Sequence, residues 1–197
     1  MTTVLERLRH ETRPLHEQTE QLFYTEALQN GTLSEVEYRH LLRTHLLFHQ
    51  ALETAIARNP DFFREYEPET RRKTLWLQHD LNQLNEPLPQ PDSDLFANWT
   101  PPAQLGAAYV GEGSMLGGTV IWRLLQKNPA IQPLLAQARF YQGYGPSTGS
   151  QWKRFGAFAL QQGEPHADEV IAAAGKAFVD YQAIFRQSRV PASAETL

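Results

Sequence analysis

Ala108-Tyr109-Val110-Gly111-Glu112-Gly113-Ser114-Met115-Leu116-Gly117-Gly118-Thr119 lies in the middle of what the sequence pattern marks as one long helix. Thr100 suits the N-cap, Pro101 suits the first turn, and the pattern runs on to Lys127-Asn128-Pro129. Gly106, Gly111, Gly113, Gly117 and Gly118 interrupt it. Each costs roughly 1 kcal/mol relative to alanine in a helix interior, a penalty that a plain core helix has no reason to carry. Glycine gives room for a kink and for something large and flat to approach the backbone. It also gives room for a second helix to pack closely. The glycines alone leave both readings open.

Working outward, the periodicity is helical almost throughout. Leu5, Leu8, Thr12, Leu15, Thr19 and Leu22 step by three and four, with Pro14 placed to kink or split that helix. Asn30-Gly31 breaks the pattern. Ser34 with Glu37 forms a capping box, with Leu33 and Tyr38 as a hydrophobic staple, and opens a second helix that runs to about Arg58. A third is expected from Pro68 to Leu84. Residues 85–102 hold five of the thirteen prolines and read as a loop. Beyond the glycine-broken helix we expect a short helix at 130–139, a turn at 140–146, and helices near 149–162 and 166–187. No segment alternates in the manner of a strand. The fold class is therefore all-α: one multi-helix bundle of six to eight helices over residues 1–187, followed by a polar tail at 188–197.

Composition narrows the chemistry. The chain has 197 residues and a formal charge of −4, which gives no electrostatic case for binding nucleic acid or an anionic membrane. It has no cysteine, so disulfides, zinc–thiolate sites, iron–sulfur clusters and thiol nucleophiles are excluded. No apolar run reaches the roughly 18 residues of a membrane span, and the N-terminus has no apolar segment like that of a signal peptide. A cytoplasmic protein is the expectation.

Six of the seven histidines fall within the first 80 residues. His16 lies at the edge of the first apolar stripe, with Arg9 and Arg13 on the adjoining face and Glu20 one turn on. A carboxylate that accepts one imidazole N–H leaves the other nitrogen free and more basic, which is how a metal-ligating histidine is held. A satisfied, half-buried histidine looks the same. His45 and His49 share the apolar face of the second helix and could chelate a metal. No carboxylate shares that inward face (Glu53 is on its flank), which favours two core histidines. His10, His40, His79 and His166 read as surface residues.

Four pieces, in order, resemble the heme oxygenase family, most closely the bacterial biliverdin-forming branch that supplies bacteriophytochromes. They are Leu15-His16-x-x-x-Glu20, the stretch from Asn30-Gly31 through Leu52-Glu53, the run Tyr109 to Gly118, and Tyr144-Gly145-x-x-Thr148-Gly149-x-x-Trp152-x-x-Phe155. Together they span about residues 5–185. The resemblance implies heme sandwiched between a proximal and a distal helix. It implies His16 as the iron ligand, hydrogen-bonded to Glu20, and Arg9, Arg13, Tyr109 and Lys153 as further heme-binding residues, the basic ones near the propionates. It implies Gly113, Ser114, Gly117 and Gly118 on the oxygen side, with closest approach at Gly117-Gly118. The activity it implies is oxygen- and reductant-dependent cleavage of heme to biliverdin, carbon monoxide and iron. Electrons would come from an external ferredoxin or reductase, since no flavin or nicotinamide motif is present, and a bacteriophytochrome would be the biliverdin acceptor.

The chain departs from the mammalian pattern. Glu112 has no fixed alignment with the distal aspartate of those enzymes and is not assigned its role. The tyrosine and arginine that contact propionates there have no clear match. Two other readings remain: a heme-binding carrier or sensor without turnover, and a dinuclear non-heme metal oxygenase built on His45 and His49.

Overall fold

A computed structural model describes residues 2–90, 92 and 94–189. Among these are eight α-helices and no strand: α1 (Val4–Glu11), α2 (Arg13–Leu22), α3 (Thr25–Asn30), α4 (Glu35–Ile56), α5 (Thr74–Gln83), α6 (Pro101–Leu125), α7 (Thr148–Gly163) and α8 (Ala167–Gln187). The expected tail falls almost wholly outside the described residues.

The N-terminal helix is split, as Pro14 requires. Proline has no amide proton and fits only the first turn of a helix. The chain therefore ends α1 at Glu11 and restarts as α2 with Pro14 in its opening turn. The Ser34–Glu37 capping box forms, with the Ser34 hydroxyl and the Glu37 carboxylate each accepting from the other's backbone N–H. Thr100 caps α6 by accepting from the amide of Ala103, and α6 runs unbroken through all five glycines.

Three expected elements differ. The third helix begins at Thr74 and not at Pro68, because Pro68–Arg71 is a 3-10 turn whose Arg71 turns into the core. The short helix at 130–139 is a 3-10 helix over Gln132–Gln137. A further helix, α3, follows a left-handed Tyr24 at φ 60°.

Helix α8 is the spine of the bundle. Its buried face, Val170, Ala174, Ala177, Phe178 and Tyr181, belongs to one core with Val4 and Leu8 of α1, Phe48 and Leu52 of α4, Leu105 and Ala108 of α6, and Phe155 and Phe158 of α7. α6 crosses α8 closely enough that a Cβ on Gly106 would strike the Val170 carbonyl and sit 2.8 Å from the Ala174 amide nitrogen. Gly111 is similarly close to α4, with His49 and Leu52 atoms 3.3 Å from its Cβ position. These two glycines answer to helix packing.

Candidate heme site

The remaining three glycines of α6 are different. A Cβ on Gly113, Gly117 or Gly118 would meet nothing within 4 Å. Leu116 and Val120, which share this side of the helix, are 44% and 56% exposed. Gly113, Leu116, Gly117 and Val120 thus form an apolar stripe at helical spacing that is left partly open. An open apolar stripe of this kind is a candidate binding surface, and its glycines leave backbone within reach of whatever lies there. Ser114 borders the stripe. Its hydroxyl donates to the Gly111 carbonyl at 2.7 Å, so its lone pairs stay free to accept.

His16 projects from α2, its side chain 52% exposed. Phe178 of α8 meets the imidazole edge-on, with centroids 5.8 Å apart. Glu20 is within reach, as the spacing expects, but Nε2 to Oε1 is 3.7 Å, too long for a hydrogen bond. The imidazole is therefore oriented by packing on one side and open on the other.

Tyr109 links this region to α6. Its ring packs on Trp152 at 5.9 Å. Burial raises its hydroxyl pKa, while a hydrogen bond with Thr12 and the charge of Arg9 pull it down. Arg9 and Lys153 are exposed. Arg13 is also exposed, and its guanidinium is engaged by Glu17 at 2.7 Å.

The second-helix histidines do not join this site. His45 is enclosed between Tyr181, which lies against Nδ1, and Tyr141, whose hydroxyl is 2.9 Å from Nε2. Burial lowers its pKa to about 3. His49, also buried, has its pKa lowered by burial and by the neighbouring Lys73. Among the described residues no three histidine, aspartate or glutamate side chains gather to hold a metal, so the dinuclear reading finds no donor set. His40 was expected at the surface and is in fact 1% exposed. It bridges Tyr24 at 2.8 Å and the Phe185 carbonyl at 2.7 Å, because α4 is enclosed on nearly every face and leaves no polar side for it.

The family model for heme oxygenase matches residues 2–187. The chain belongs to the heme oxygenase family. A curated heme oxygenase from Xanthomonas campestris pv. campestris is 38% identical over 109 residues, 53% of this chain and 61% of that relative. The chain thus spans under two thirds of that relative's length in the match. Among solved structures, the heme oxygenase of Neisseria meningitidis superposes with a TM-score of 0.77 at 23% identity, covering 98% of this chain and 96% of that one. That of Leptospira interrogans gives 0.78 at 17% identity, covering 95% and 100%. Both likenesses concern the fold, which is that of the heme oxygenases.

Sequence reasoning did not find Phe178, although the apolar period of the last helix places it inward. It also did not find that Glu112 points away from the open stripe. That carboxylate is buried among Tyr66, Arg71, Lys73 and Tyr144, residues whose meeting no local pattern announces.

Proposed function

We propose that this heme oxygenase family member is an active heme oxygenase, cleaving its substrate heme to biliverdin, carbon monoxide and iron with oxygen and external reductant. The observation that carries the reading is the partly open stripe of Gly113, Leu116, Gly117 and Val120, together with an exposed imidazole at His16. A porphyrin is flat, largely apolar and needs one axial donor, and these residues fit it. A multi-carboxylate metal site would need donors that are not gathered here.

Heme supplies the oxygen chemistry itself, since the reaction occurs at the cofactor's own ring. The chain's residues bind, orient and exclude water. His16 would hold the heme iron through the ring nitrogen that Glu20 leaves free, with Phe178 orienting the imidazole and Glu20 placed to accept the other N–H after a small rotation. Arg9 and Lys153 supply positive charge for the propionates beside Tyr109 and Trp152. Arg13 shares that task only if it leaves Glu17. The backbone of Gly113, Gly117 and Gly118 would form the opposite wall, where the missing side chains leave room for oxygen. The Ser114 hydroxyl, its proton held by Gly111, accepts from a water at that wall.

Electrons come from an outside donor of the ferredoxin or reductase class. No helix among the described residues is long and apolar enough to cross a membrane; a cytoplasmic setting is part of the proposal. A bacteriophytochrome as biliverdin acceptor follows from the branch resemblance. The test is to add hemin, then reductant and oxygen, and to follow the Soret band and the pigment. Biliverdin with loss of the Soret band supports the reading. Stable binding without cleavage makes the protein a carrier.

A further inference from the structure

Glu112 sits between Gly111, which packs on α4, and Gly113, which faces open space. Its carboxylate collects four donors. The Tyr66 hydroxyl reaches Oε1 at 2.9 Å, Arg71 Nη1 reaches Oε2 at 2.9 Å, Lys73 Nζ contacts Oε1, and the Tyr144 hydroxyl lies 3.1 Å from Oε2. Glu112, Arg71 and Lys73 are each 2% exposed. Arg71 also donates to the Tyr66 carbonyl at 2.6 Å and to the Gln151 carbonyl of α7 at 3.2 Å. Glu53 of α4 accepts the backbone N–H of Lys73 at 2.7 Å and of Thr74 at 3.1 Å, at the start of α5. Two carboxylates and two cations therefore tie α4, α5 and α7 to one point on α6.

Stability does not account for such a set. Removing charges from water costs about as much as their attraction returns, and well-packed apolar replacements are often as stable or more so. Direction is what the set adds. Four donors on two oxygens fix where the carboxylate lies and how its helix is rotated. Position matters at this point on α6. After Met115, whose unbranched side chain adapts to its surroundings, no residue before Leu125 is fully buried except Gly118, which has no side chain. Ile121, Trp122 and Leu124 pack only partly. Glu112 is the last directional attachment before the open stripe.

We propose that Glu112, clamped by Arg71 and Lys73, is a positioning residue that sets the height and rotation of the 113–120 stripe above the substrate cleft. The statement about the helix stands on the apo protein; its consequence for substrate rests on the heme oxygenase reading.

The test uses the triple variant Glu112→Leu/Arg71→Met/Lys73→Met, which removes the carboxylate with its two cations, and the near-isosteric Glu112→Gln. The first readout is amide hydrogen exchange of the apo protein, taken as the rate at 113–119 divided by the rate of the slowest amides of α4 and α8. A uniform loss of stability leaves this ratio unchanged. We expect it to rise about tenfold or more in the triple variant, with a melting temperature close to the parent's, and to rise in Glu112→Gln as well. The second readout is the C–O stretching band of the reduced hemin complex under carbon monoxide, which should shift and broaden because, on the heme oxygenase reading, the stripe would face that ligand. An unchanged or lowered ratio in whichever variant folds overturns the proposal, as does a folded triple variant with the parent's band. If the parent itself does not bind hemin but the ratio rises in the variants, the positioning claim survives and the heme oxygenase reading fails.

Discussion

At Gly106 an added methyl would press on the Val170 carbonyl and the Ala174 amide, backbone atoms that cannot yield without moving α8. At Gly117 the same methyl would meet nothing within 4 Å. The two alanine substitutions should therefore have opposite effects. Gly106→Ala is expected to lower stability by about 1–3 kcal/mol or more, the cost of overpacking a filled site. Gly117→Ala should keep or raise the apo melting temperature, since helix propensity favours alanine by up to about 1 kcal/mol, while biliverdin formation falls because the methyl projects from the open stripe where the proposed substrate would lie. Thermal unfolding beside single-turnover assays measures both. A destabilised Gly117→Ala with normal turnover would return that glycine to a packing role. At His16 the expectation concerns the ligand: His16→Ala should lose the histidine-ligated Soret spectrum and regain it with added imidazole, whereas His45→Ala should keep it. Glu20→Gln should lower the iron–histidine stretching frequency of the ferrous complex, because a weaker acceptor makes the imidazole a poorer donor. An unmoved frequency would mean that the 3.7 Å separation of Glu20 from His16 persists with heme bound and that Glu20 is a surface residue.

Elements governed by neighbours in sequence were legible, and those governed by distant partners were not. The break before Pro14, the Ser34–Glu37 box and the Thr100 cap are each decided within a few residues, and all three stand where the sequence puts them. Ser34→Ala should accordingly cost about 1 kcal/mol, the usual worth of an N-cap hydroxyl, read as a lower urea midpoint at unchanged slope; no change would mean that packing alone holds the start of α4. The expected start of a helix at Pro68 failed for a reason outside the segment. Arg71 and Lys73 are drawn into the core by Glu112, and the chain turns at Arg72, with ψ 108°, before α5 can begin. His40 was misplaced in the same way. A helical wheel assumes one wet face, but α4 is packed by α5, α6 and α8, and even Arg43 and Thr44 are buried along it. The candidate site divides along this line too: His16, Glu20 and the glycines of α6 can be picked out from local order, while Phe178, the Glu112 cluster and the separation of packing glycines from open ones needed the fold.

Across the whole molecule, the polar groups buried in the bundle make its stability depend on pH in a direction that can be worked out. His45 has its pKa lowered to about 3, and His49 well below its ordinary value, both first by burial. In the unfolded chain each takes a proton near pH 6.5. Between about pH 3 and 6.5 the unfolded state therefore binds more protons at these positions, so their contribution to stability is lost as pH falls. Asp80 acts in the opposite sense. Burial raises its pKa to about 6, against the backbone N–H groups of Arg139 and Phe140 that hold its charged form. It contributes stability at low pH that is lost as pH rises toward 6. Between about pH 4 and 6, two histidines against one aspartate, with His40 (lowered by burial) and Glu53 (raised by burial) opposing each other in sign, leave a net difference on the order of one proton, or roughly 1.4 kcal/mol per pH unit. The urea midpoint should fall steadily from pH 6 to pH 5. Asp80→Asn, which keeps an acceptor for one of the two amides and removes the opposing titration, should make that fall steeper whatever the overall loss of stability, and His45→Gln should make it shallower. Equal midpoints at pH 7 and pH 5 would show that the histidines are not held neutral between Tyr141, Tyr181 and Phe140, and that water reaches the centre of the bundle.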